Sequence, residues 1–262
     1  MTRTALAILL GLSTAFATQA SAEENASNPL AATNNVDLRY QYTGSSDLDT
    51  HDLAIDGAHM ILPTLKFKYE LHYNHLDGNL GSTSEFDRLV LKPIWFPYQA
   101  PVGGNWGMKA ALGLELLIDL SGNEQSVIAG GGDEQDGFDP PGGEPSGVNQ
   151  LAPFAGLAFA NSDIGLTLVP LVQHYTDIGP GRDVSQTAFR LIAIQPFAES
   201  WWFKLDAKVP FDWENDKIPV NAELQLGNNL SDRWAAYVDV LVGIGNDRPY
   251  DAGVGLGLRL KY

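Results

Sequence analysis

The chain has 262 residues, no cysteine, and 32 Asp and Glu against 16 Lys and Arg, for a formal charge of −16. That balance excludes a nucleic-acid binder, whose phosphate partner requires a basic surface, and the missing cysteines exclude a small disulfide scaffold. It fits an acidic exterior that can hold divalent cations, or a pore that favours cations over anions.

The N-terminus reads as an export signal. Arg3 supplies the positive charge, Ala5 to Phe16 the apolar run, and Ala20-Ser21-Ala22 the small residues before cleavage at Glu23. The run is too short to cross a bilayer as a helix. Residues 1–22 are therefore expected to be a signal peptide, 23–35 a periplasmic extension and 36–262 the folded domain. Beyond Glu23 no stretch of about 18 apolar residues occurs, so a membrane helix is not expected, although barrel strands need only alternate.

Alternation is the dominant pattern. Val36–Thr43 sets Val36, Leu38, Tyr40 and Tyr42 against Asp37, Arg39, Gln41 and Thr43. Asp52–Ile61 follows more weakly. Leu65–Asn74 sets Leu65, Phe67, Tyr69, Leu71 and Tyr73 against Lys66, Lys68, Glu70, His72 and Asn74. Next come Glu85–Trp95, then Trp106–Leu116 with Lys109 and Glu115 on its polar side. Gln150–Phe159, Ile164–Tyr175 and Ser185–Gln195 continue the series. Trp202–Phe211 opposes Phe203, Leu205, Ala207, Val209 and Phe211 to Lys204, Asp206 and Lys208. Ile218–Leu226, Trp234–Ile244 and Ala252–Tyr262 complete twelve expected strands, the last with three glycines, Arg259 and Lys261 on its polar side.

The connections agree with a closed antiparallel up-and-down barrel. With both termini on the periplasmic side, even-numbered connections should be short inner turns and odd-numbered ones outer loops. Leu62–Thr64, Ala160–Asp163 and Phe197–Trp201 are short. The long, acidic, Gly- and Pro-rich connection Leu117–Asn149 falls outside, where its composition predicts mobility. Phe96–Asn105 and Gly227–Arg233 are longer than inner turns should be.

A soluble β-sandwich would alternate too, with its apolar face in a core. Two features favour lipid: opposite charges close together along single polar faces, and Trp95, Tyr98, Trp106, Trp201, Trp202, Trp213, Trp234 and Tyr262 near strand ends, as an interfacial girdle requires. The last strand, ending on Tyr262, is similar to the assembly signal of outer-membrane barrels.

From Gln173 to Leu226 the chain also resembles a known family. Gln173-His174-Tyr175, Asp183-Val184-Ser185-Gln186-Thr187, Gln195-Pro196, Trp201-Trp202, Phe211-Asp212-Trp213-Glu214 and Ile218-Pro219-Val220 occur in an order similar to the outer-membrane transporters of the phenol-degradation MetA pathway. That resemblance implies a barrel in the outer membrane admitting small organic or aromatic compounds. After Val220, Asn221-Ala222-Glu223 replaces the glycines common in that group.

Catalytic motifs are sparse. A barrel lipase needs a serine beside a histidine, and His174 with Ser185 is the one candidate pair. His72 and His75 point to opposite faces of a strand, with His75 expected in a loop. Asp133, Glu134, Asp136 and Asp139 follow no fixed calcium spacing, yet an acidic outer loop can hold divalent cations. The sequence thus predicts a passive channel for small solutes, without cofactor or enzymatic activity. The residues expected to line its lumen are Asp37, Arg39, Lys66, Lys68, Glu70, Lys109, Glu115, Lys204, Asp206, Lys208, Glu223 and Arg259. Such charges must be paired or hydrated.

Overall fold

A computed structural model of the chain describes residues 27–28, 30–79, 81–121, 147–181 and 183–262. Residues 1–22, with the expected export signal, and Asp133, Glu134, Asp136 and Asp139 of the acidic loop lie outside them.

Twelve antiparallel strands form one closed barrel: β1 Asn35–Gly44, β2 Leu48–Leu62, β3 Leu65–Gly78, β4 Gly81–Gly103, β5 Trp106–Asp119, β6 Gln150–Asn161, β7 Thr167–Asp177, β8 Ser185–Phe197, β9 Trp201–Asp212, β10 Val220–Asn229, β11 Trp234–Ile244 and β12 Ala252–Lys261. Each strand pairs with its sequence neighbours, and β1 closes on β12 from Asn35↔Lys261 to Gly44↔Ala252. Among the described residues no strand edge is left open, which suits a wall surrounded by hydrocarbon. Closure also disposes of the two-layer sandwich.

The alternation resolves into an inward and an outward row. On β1, Asp37 and Gln41 are buried while Leu38 and Tyr40 are exposed. The same inversion recurs around the barrel: Leu53 and Ile55 on β2, Leu112 and Leu114 on β5, Phe189 and Leu191 on β8, and Leu256 and Leu258 on β12 all face outward. A continuous apolar exterior of this extent is far larger than soluble monomers tolerate.

β1 begins and β12 finishes at the same end of the barrel, here called the terminal end. The turns there are short, because β4 and β10 run further than the sequence pattern suggests. β4 continues through Pro93, Pro97 and Pro101 to Gly103, with register shifts at Trp95/Tyr98 and Pro101/Gly103. A proline cannot donate to the ladder, and bulges absorb the missing bonds. This converts the expected Phe96–Asn105 loop into a hairpin turning at Gly104 and Asn105, with φ positive at Gly103 (122°) and Gly104 (56°). β10 similarly extends to Asn229, leaving residues 230–233 to turn.

Exposed aromatics mark both rims: Trp95, Tyr98, Trp201, Trp234 and Tyr262 towards the terminal end, and Trp213 and Phe86 towards the other. Trp202 is not among them. It is 2 % exposed and points inward, its ring filling the space above Gly227, where a Cβ would collide with it. Alternation decides the matter: with Trp201 and Phe203 outside, Trp202 must face the lumen.

Candidate functional site in the barrel lumen

The inward rows enclose a cavity of about 200 Å³. Its middle is a belt of ion pairs joining neighbouring strands. Lys92 on β4 reaches Glu115 on β5 at 2.5 Å and Glu70 on β3 at 3.8 Å, and Lys68 also reaches Glu70 at 3.5 Å. Gln173 donates to Glu115 at 2.9 Å. Arg190 on β8 forks onto Asp206 with bonds of 2.7 and 2.6 Å. Lys204 on β9 meets Glu223 on β10 at 2.5 Å. Across the β1–β12 seam Arg259 clasps Asp37, whose carboxylate also accepts from Asn35 at 2.7 Å and Tyr237 at 3.1 Å. The belt follows from register. Charged residues two apart on one strand face neighbours on the next, so carboxylates and cations interleave diagonally.

Towards the terminal end the lumen becomes apolar. Ile94, Phe96, Ala111, Ala158, Val169, Ile192 and Ile194 form an inward cluster, and Leu30 sits among them, 2 % exposed. Leu30 belongs to a segment that precedes β1 and enters the barrel. Lys66 donates to the Ala31 carbonyl at 2.8 Å, and Lys109 reaches the Leu30 carbonyl at 3.5 Å. Ser27 donates to Gln225 at 2.9 Å and accepts from Arg259 at 2.8 Å. Asn28 caps the turn, accepting from the Leu30 backbone at 2.9 Å. Residues 27–31, where described, thus fill the terminal end of the lumen. At the other end, Val148 and Val184 from the β5–β6 and β7–β8 connections pack inward against Val90, Leu117, Ala152, Tyr175 and Ala188.

Of the residues singled out from sequence, Asp37, Arg39, Lys66, Lys68, Glu70, Glu115, Lys204, Asp206, Lys208, Glu223 and Arg259 border the cavity. Lys109 lies beneath it, its ammonium 5.2 Å from the Phe96 ring centre. The pattern did not single out Arg88, Lys92 and Arg190, nor Gln225, Tyr237 and the segment at Ser27–Ala31.

The charge of this lining departs from that of the chain. Nine of its residues are Lys or Arg and six are Asp or Glu, whereas acids outnumber bases twofold in the whole sequence. Asp52, Asp87 and Asp239 are also buried on the inward rows, next to that lining. Asp47, Asp163, Glu214, Asp232 and Asp247 are exposed in the connections at the two rims.

The hydrolase pair does not form. His174 is the register partner of Thr187, and its Nδ1 lies 2.9 Å from the Thr187 hydroxyl, on the outward face; Ser185 pairs with Thr176. His75 lies on β3 rather than in a loop, outward and opposite His51, while His72 points inward.

No family model matches the chain, and no curated protein matches it in sequence. The fold does match solved structures. An outer membrane channel from Pseudomonas putida F1 superposes with a TM-score of 0.64 at 8 % identity, covering 88 % of this chain and 96 % of that one. The NanC porin gives 0.53 at 8 % identity over 87 % and 98 %. The KdgM porin in complex with disordered oligogalacturonate gives 0.51 at 10 % identity over 87 % and 99 %. At such identities the likeness establishes the barrel fold, which those proteins share across nearly their full length.

Proposed function

We propose that this protein is a passive outer-membrane channel for small organic solutes, with a preference for anions. The observation that carries this reading is the pairing of an apolar exterior with a charged interior cavity, an arrangement suited to a hydrophilic path through lipid. In this reading the terminal end faces the periplasm, the short turns lie there, and the longer connections face outward. The three similar structures, two of them porins and one a channel, support it.

The cargo class follows from two features together. Basic groups dominate the cavity lining, and apolar clusters bracket it at both ends. A small organic acid with an apolar or aromatic body would satisfy both zones, which also accommodates the resemblance to aromatic-compound transporters. Oligogalacturonate, held by the KdgM porin in its complex, is likewise an anionic solute.

Single-channel recording of the purified chain in planar bilayers tests the proposal. A salt gradient should give a reversal potential of the sign for anion preference, and an aromatic carboxylate should reduce the chloride current. Silence under every solute, or a cation-selective current, would overturn the corresponding half of the reading.

A further inference from the structure

Beside the ion-pair belt, on the wall formed by β2 and β3, three potential metal ligands converge. Asp56 and Glu70 are direct register partners, and His72 is the next inward residue along β3. Ala54 lies opposite His72, and this small partner leaves room for the ring. The ligand atoms of Asp56, Glu70 and His72 all lie within 4.8 Å of one another.

The imidazole is already oriented. His72 Nδ1 lies 2.7 Å from Asp52 Oδ2, both groups being almost fully buried, so the Nδ1 proton donates to the carboxylate. With Nδ1 as donor, the neutral ring carries its lone pair on Nε2, which is then open to a metal ion. Nε2 is buried without a hydrogen-bond partner and faces Glu70 Oε2 at 3.6 Å; Asp56 Oδ1 is also buried without one. A lone pair aimed at carboxylate oxygens is repulsive unless a proton or a cation lies between them. The carboxylate–histidine pair behind it is the usual support of a metal-binding imidazole.

From these observations we infer that Asp56, Glu70 and His72 form a lumenal site for a divalent transition ion of the zinc type, with Asp52 as the positioning residue. One nitrogen and two carboxylate ligands with a fourth position open suit Zn²⁺, and the 3.6 Å between Nε2 and Oε2 is close to the about 3.3–3.5 Å separating ligands with bonds of about 2.0–2.2 Å in tetrahedral geometry. Asp56 must turn further inward, loosening its 3.7 Å contact with Arg39, and Lys68 must yield at Glu70. Lys92 keeps its shorter bond to Glu115. Hard cations such as Mg²⁺ prefer all-oxygen shells and should bind poorly here. The site goes beyond the transport reading and stands whether or not the lumen conducts.

Titration calorimetry of the full chain in detergent with zinc chloride, and separately magnesium chloride, tests it. One Zn²⁺ per chain is expected, with at least tenfold weaker binding in His72→Ala and a 10–100-fold loss in Asp52→Asn. His51→Ala with His75→Ala, an outward pair, should leave zinc affinity unchanged. Absence of saturable binding, retention of affinity in His72→Ala, or loss confined to the outward pair would overturn the inference. Should the lumen variants fail to fold, zinc-edge X-ray absorption on the unaltered protein decides: one imidazole with oxygen ligands supports the site, and two imidazoles refute it.

Discussion

Asp37 and Arg259 sit opposite each other where the first and last strands meet, and the guanidinium donates to both carboxylate oxygens, Nη2 to Oδ2 at 2.6 Å and Nε to Oδ1 at 2.9 Å. Both side chains are buried. Removing one leaves the other charged without its partner, at a cost of about 3–5 kcal/mol. Arg259→Ala should therefore lower the urea midpoint of the refolded barrel markedly. The double variant with Asp37→Ala should lose less than the sum of the two single changes. Additive losses would show that the pair is not coupled.

The lumen segment at Ser27–Ala31 should limit flow. Leu30 lies against Ile94, Phe96, Ile192 and Ile194, so Leu30→Asp places an unpaired carboxylate in an apolar nest and should drive the segment out. Conductance in planar bilayers should then rise severalfold, and deletion of residues 27–31 should match it. Identical conductance in all three proteins would mean that the narrow point lies elsewhere.

Selectivity should follow the basic lining. Lys208 borders the cavity with its ammonium 5.2 Å from the Tyr175 ring centre. Lys208→Glu reverses one wall charge and should shift the reversal potential in a salt gradient towards cations, while Lys217→Glu, on the rim, should do so much less because bulk salt screens it. Equal shifts would place the selectivity filter outside the lumen.

Gly257 is required by its neighbour. A Cβ there would collide with the Tyr237 ring, whose hydroxyl holds Asp37. Gly257→Val should cost at least the about 1–3 kcal/mol of an overpacked site and reduce the folded fraction seen as a heat-dependent shift on electrophoresis. Tyr237→Ala in the same chain should restore part of that fraction.

The strands and their faces were legible because alternation is local: Lys66, Lys68 and Glu70 announce one face wherever β3 is placed. Arg88, Lys92 and Arg190 share their inward rows with Val90, Ile94, Ala188 and Ile192, which blurred the polar face and hid them. The expected strand ends at Trp95, and only the bulged pairing shows how β4 continues through Pro97 and Pro101. Trp202 was misplaced by its neighbour Trp201, although period two already assigned it inward. The entry of Leu30 into the barrel had no local signal at all. It depends on Lys66 and Lys109, distant in sequence, finding carbonyls to bind, and on an apolar nest assembled from five strands.

The inward side of β12 is bare backbone at Gly253, Gly255 and Gly257, and flanking chains occupy the vacated volume: Thr43 over the first, Gln41 and Asp239 over the second, Tyr237 over the third. Hydrogen bonds alone would tolerate a two-residue slide of this strand, since the faces would be preserved. The slide that brings Arg259 opposite Tyr237 would, however, thrust a guanidinium into space the phenol ring already fills. Strand stagger, and with it the girth of the cylinder, is thus selected by a keyhole pattern of missing side chains along one strand.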